Sequence, residues 1–148
     1  MENQFCRVRS AKDIIISVSL IVAGFVLMFL PYGTGLNIGG FFLFLIGGTF
    51  LFLFKSVYKE LGTNDVYEKK EFYFPQESTN VILKAVLSNP NSIDLSLEGK
   101  GKTVKLNIYY SNKAGKAYLR LYEYIPYMYE PITEVLEYNT KEISNLIK

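Results

Sequence analysis

The chain has no histidine and a single cysteine, Cys6. Without histidine it lacks the commonest general base and the commonest metal ligand, and no serine or threonine has an imidazole to activate it. One cysteine excludes an internal disulfide and any cysteine-cluster metal site. Charge imbalance is also missing. The formal net charge is +2, and residues 57–148 carry equal numbers of acids and bases. A basic nucleic-acid footprint is therefore absent, and no nucleic-acid partner is expected. No Walker loop or G-x-G-x-x-G motif occurs. Gly99 to Lys102 looks like a phosphate cradle, but no helix follows whose N-terminus would hold an anion, and a hairpin turn explains it. The carboxylates are scattered, with no pair at a ligand spacing. No catalytic residue, cofactor or metal site is expected, and the chain is read as non-enzymatic.

The longest absence is of charge. From Ile14 to Phe54 there is no Asp, Glu, Lys or Arg. Two apolar runs, Ile14 to Leu30 and Leu36 to Phe54, flank a short uncharged turn from Pro31 to Gly35. At a rise of ~1.5 Å per residue they measure about 25 and 28 Å, against ~30 Å of bilayer hydrocarbon. The expectation is a transmembrane hairpin over residues 14–61, with helices about 14–31 and 36–61, the second running on to a C′ glycine at Gly62. A cleaved signal peptide fits less well, because the first run exceeds the usual apolar core and no small-x-small site precedes Pro31. Arg7, Arg9 and Lys12 precede the hairpin, and Lys55 and Lys59 follow it. The positive-inside rule then puts both termini in the cytoplasm of a cell inner or plasma membrane, with Tyr32 and Tyr58 near the interfaces. Residues 1–13 form a short cytoplasmic lead.

Helices in lipid associate through small residues that permit close approach. Gly40 and Gly47 lie on one line of the second helix, and Ser17 and Gly24 on one line of the first. In an antiparallel hairpin Gly24 faces Gly40 and Ser17 faces Gly47. Packing within the hairpin is the simplest use of this seam, with self-association as the alternative. A pore is disfavoured by the lack of intramembrane charge.

Residues 63–148 are expected to form a small cytoplasmic two-layer α+β domain in the order β-α-β-β-β-α. Phe72 to Phe74 make a short aromatic strand. Val81, Ile82, Ala85 and Val86 give a helical face within residues 76–87. Three alternating runs follow: Ile93, Leu95 and Leu97; Val104, Leu106 and Ile108; Leu119 and Leu121. Their period of two predicts an antiparallel meander buried on one face. Leu97 would pair with Val104 and Leu95 with Leu106, and across the second turn Ile108 with Leu119 and Leu106 with Leu121. Ile132, Val135, Leu136, Ile143, Leu146 and Ile147 have helical spacing behind Pro131 and predict a final helix. Both helices would cover the apolar sheet face. The helix–meander–helix order resembles that of the double-stranded-RNA-binding fold. That fold's basic cluster is missing here, where Glu130, Glu134 and Glu137 stand.

The outer sheet face would carry Lys105, Asn107, Tyr109, Tyr118, Arg120, Tyr122 and Tyr124, with Tyr127 and Tyr129 just beyond. Tyrosine and arginine are enriched at binding hot spots, and cross-strand aromatic pairs also stabilise sheets. Lys105, Tyr109, Tyr118, Arg120, Tyr122 and Tyr124 are therefore the candidate interaction face. The leading expectation is an integral membrane protein presenting an interaction domain to a protein partner or to a second copy of itself, with the bilayer as its other partner. The alternative is a membrane-acting effector that senses a ligand through the soluble domain and assembles through the hairpin; a third reading, an enzyme of unfamiliar type, would call for a pocket lined by Asp94, Lys105 and Arg120.

Overall fold

The structure, a computed structural model, describes residues 4–31 and 33–148. Tyr32, one of the expected interfacial tyrosines, lies outside the described residues. The chain divides into two compact units. One is Arg7–Val57, and the other is Tyr58–Lys148 together with the described residues up to Cys6.

The first unit is a helical hairpin of α1 (Ala11–Phe29) and α2 (Thr34–Leu53). Helix α1 starts one turn earlier than the apolar run suggests. The cause is a capping box: Ser10 Oγ accepts from Asp13 N at 3.0 Å, and Asp13 Oδ2 accepts from Ser10 N at 2.8 Å. This satisfies two of the orphan donors at a helix start. Asp13 also accepts from the Ser56 backbone N–H at 3.0 Å and its hydroxyl at 2.8 Å, so it clasps the residues that follow α2. Arg9 donates to Phe52 O at 3.2 Å, placing a cation on the last carbonyls of α2. The helices bury Ser17, Gly24, Gly40 and Gly47 along with Asp13. A Cβ on Gly40 would lie 2.7 Å from Gly24 O, and one on Gly47 would lie 2.8 Å from Ile21 N. Gly47 thus meets α1 about one turn along from Ser17. Gly39 and Gly48 face open space. The long side chains point outward: Ile15, Phe29, Phe42, Phe52 and Leu53 are all exposed.

Helix α2 does not run on to residue 61. After Leu53 the chain turns into strand β2 (Val57–Glu60), and Gly62, with φ +92°, serves the turn into β3 (Val66–Phe74). β2 pairs with β3, Tyr58 opposite Tyr67. The N-terminal lead is likewise a strand, β1 (Phe5–Val8), beside β2 in the sheet. Short strands with β-branched and aromatic residues take these positions because neighbouring ladders satisfy their backbone groups.

Among the described residues the antiparallel sheet has seven strands in the order β1-β2-β3-β4-β5-β6, with β7 also on β5. β4 (Val104–Ser111) and β5 (Lys116–Ile125) pair in the register that the alternation predicts, Leu106 opposite Leu121 and Ile108 opposite Leu119. The other flank of β4 is a correction. β3 occupies it, Phe72 opposite Leu106 and Phe74 opposite Val104. Residues 93–97 make no strand. Asp94 accepts from Ser96 N at 2.8 Å, an Asx turn that competes with extended structure. Ile93 is nevertheless in the core, carried there by 3₁₀ turns. The final helix is also corrected. Residues 128–139 form β6 (Met128–Pro131) and β7 (Leu136–Asn139), which cover the free ladder of β5. Beyond them the helical part is a 3₁₀ turn (Thr140–Ile143) and the short α4 (Ser144–Ile147).

The core lies on one sheet face. Phe72, Phe74, Val104, Leu106, Ile108, Leu119 and Leu121 meet Ile82 and Val86 of α3 (Thr79–Ser88) and Leu146 of α4. Helix α3 and the short α4 thus lie against this face of the antiparallel sheet.

Candidate functional site

The tyrosine face forms where alternation places it, but most of it is covered. Tyr109 is 2 % exposed and Tyr122 is 8 %. The cover is Phe5, which stacks on Tyr109 at 4.5 Å between ring centroids and meets Tyr67 and Tyr118 edge-on at 5.2 and 5.6 Å. Tyr58 closes the same cluster, edge-on to Tyr109 at 5.0 Å. β1 opens the strand order and β5 lies four strands away, so the sheet curls until Phe5 reaches Tyr118. A second, smaller core results, flanked by Val135. Glu60 accepts from the phenols of Tyr67 and Tyr118, each at 3.1 Å. Burial, reinforced by Glu60, pushes both phenols above their ordinary range.

Arg120 is committed within the domain. β5 offers two residues, Arg120 and Leu121, opposite four, 132–135, between its pairings with β6 and β7. The extra residues make a bulge. Arg120 Nε donates to Thr133 O at 3.2 Å, Leu121 N to Thr133 Oγ1 at 3.0 Å, and Ile132 N to Leu121 O at 3.0 Å. The guanidinium also lies over the Tyr122 ring, 5.6 Å from its centroid. Lys105 lies over two rings, Tyr122 at 5.0 Å and Tyr129 at 4.4 Å. Between these groups stands Asn107, wholly buried, whose amide finds no hydrogen-bond partner among the described residues. Lys69 bonds Glu71 at 2.6 Å, across the ladder from Asn107. Burial pushes the Glu71 carboxyl up. The hydrogen bonds from Lys69 and Tyr73, with the charges of Lys69 and Lys105, outweigh it, and the net shift is downward.

Of the six face residues, Tyr124 alone is largely exposed, at 48 %. It borders an open recess with Lys102, Thr103 and Tyr129. Beyond it, at the tip of the β5–β6 hairpin, are Tyr127 and Met128, 96 % and 56 % exposed. Alternation does not mark this tip. Its signal in the sequence is Pro126 followed by an aromatic residue in a turn where glycine is usual. No group of His, Cys, Asp and Glu among the described residues is arranged to hold a metal ion. No family model matches the chain, and neither a curated protein nor a solved structure matches it.

Proposed function

We propose that this chain is a non-enzymatic integral membrane protein. Its α1–α2 hairpin crosses the bilayer twice and presents the sheet domain in the cytoplasm, where the domain binds a protein partner or a second copy of itself. The observation that carries the membrane reading is the direction of the apolar side chains. The helices meet along Ser17, Gly24, Gly40 and Gly47 and turn most of their isoleucines, leucines and phenylalanines outward. A core helix of a soluble protein does the reverse, because each large apolar side chain left in water forgoes roughly 1.5–3 kcal/mol. Two of the helix hydroxyls are satisfied locally, Ser17 donating to Asp13 O and Thr49 to Leu45 O, each at 2.8 Å, which suits an apolar medium. Phe5 and Tyr109, from opposite sides of the hairpin in sequence, stack in one unit. An even number of crossings accommodates this. The basic flanks favour the cytoplasmic side.

Topology is tested with a membrane-impermeant thiol reagent on intact cells. Cys6 should escape labelling, and a Thr34→Cys chain should be labelled. The reverse pattern moves the domain outside, and release of the chain by alkaline carbonate removes the membrane reading. The interaction reading is tested by recovering the tagged full chain in detergent. One stoichiometric partner or a defined homo-oligomer supports it, and a monodisperse monomer without partners counts against it.

A further inference from the structure

The β5–β6 connection has a backbone that its sequence resists. Ile125 pairs with Met128, so Pro126 and Tyr127 form a two-residue loop. Proline followed by a residue with positive φ is the type II pattern, whose second position belongs to glycine. Here it holds Tyr127 at φ +79°, the one non-glycine residue with positive φ among those described. Its ring makes no hydrogen bond or ring contact within the described chain. Strain of this kind persists where it serves a purpose. The visible effect is to hold an aromatic ring clear of the domain, with Met128 beside it and Tyr124 behind it. Tyr124 is braced edge-on against Tyr129 at 5.2 Å, and the Tyr129 hydroxyl donates to Lys102 O. Lys102, whose carbonyl takes that bond, is exposed, as is Lys100 two residues before it. The Glu123–Glu130 pair lies one step back and, by alternation, on the other face.

The direction of the strands β1 and β2 bears on what the ring meets. Read backwards from Lys59 to Tyr58, β2 advances along β3 from Val66 towards Phe74. Phe74 pairs with Val104, and Val104 with Glu123, at the end of the sheet that carries the tip. β1 runs antiparallel to β2, with Leu61 N donating to Gln4 O and the Cys6 thiol near Lys59 O, so it too heads for that end. The C-terminal end of β1 and the N-terminal end of β2 therefore both point to the end of the sheet that bears Tyr127.

We propose that the Pro126–Tyr127 tip is a membrane-interface anchor, with Tyr127 and Met128 entering the headgroup region of the bilayer and Lys100 and Lys102 facing anionic lipid. Tyrosine is the residue type that occupies this layer, with its ring in the apolar boundary and its hydroxyl in the wet one. This inference rests on the membrane reading above.

The test uses the full chain in vesicles of phosphatidylcholine with a minority of phosphatidylglycerol. The sequence has no tryptophan, so each variant carries a sole reporter. Tyr127→Trp should emit blue-shifted from aqueous tryptophan, lose intensity with lipids brominated near the headgroup, and resist iodide. Met128→Trp should behave alike, and it carries the test if the first variant does not fold by circular dichroism. Phe41→Trp, on the outward side of α2, monitors the membrane reading through lipids brominated deep in the chains. Quenching at Phe41→Trp with water-like, iodide-accessible emission at both tip reporters overturns the anchor and leaves the membrane reading intact. A tip reporter that is shielded from iodide but insensitive to brominated lipid is covered by protein, which also overturns the anchor. No quenching at any position removes both.

Discussion

At the scale of single residues, Asn107 is the least expected. A buried amide without partners forfeits its hydrogen bonds to water and gains none in return. Asn107→Leu keeps the volume and removes the polar atoms, so the domain should gain about 1–3 kcal/mol in denaturant unfolding, the scale of an unsatisfied buried group. A loss of stability instead would mean that the amide has a partner in solution. Glu71 makes a prediction about pH. Its carboxyl titrates below the ordinary 4.5, so its contribution is complete above that value and disappears as the pH falls through the lowered one. The pair is partly solvated, so the contribution is about 0–1 kcal/mol. Glu71→Gln should therefore unfold slightly more easily at neutral pH and match the parent in acid. A gap that widens on acidification would contradict this. Arg120 shows the limit of reading residues singly. Its alternation with Leu119 and Leu121 places it on the outer face, yet the carbonyl that holds it belongs to a bulge that alternation does not reveal.

At the scale of elements, legibility followed how one-sided a pattern was. The β4–β5 register could be read because a slip of one residue would turn every leucine outward. The 132–147 segment could not, because Ile132, Val135 and Leu136 fit a helical stripe while β5 had a ladder to be covered. Tyr129, Thr133, Val135 and Tyr138 carried the opposing strand preference. Ile93, Leu95 and Leu97 alternate as a strand does, but Phe72 and Phe74 hold the place beside β4. In the hairpin, adjacent glycines separate by position. Gly40→Ala and Gly47→Ala each put a methyl group into backbone under 3 Å away, whereas Gly39→Ala and Gly48→Ala meet nothing within 4 Å. The first pair should lower thermal stability in detergent. The second should be silent or gain up to ~1 kcal/mol from helix propensity. Equal effects at all four would remove the close seam.

At the scale of the whole molecule, the sheet domain is assembled from both sides of the hairpin. Phe5 was illegible as a core residue, since a four-residue strand with one buried side chain has no periodicity and its ring partners lie far along the chain. Phe5→Ala should cost about 3–5 kcal/mol, the range for a buried phenylalanine, measured on the full chain by loss of near-ultraviolet tyrosine dichroism. A cost under ~0.5 kcal/mol would mean that Tyr109 is covered by something else. A fragment beginning after the helices would lack this ring and expose what it covers. The same arrangement sets a timetable for biosynthesis. Phe5 leaves the ribosome before either helix, while Tyr109 and Tyr118 are made roughly a hundred residues later. At about 5–20 residues per second, the first strand waits some 5–20 s for a surface to join. Both helices are made in the first half of that interval, before the sheet exists, so on the membrane reading proposed above the hairpin inserts before completion of the domain that its own N-terminal flank will seal.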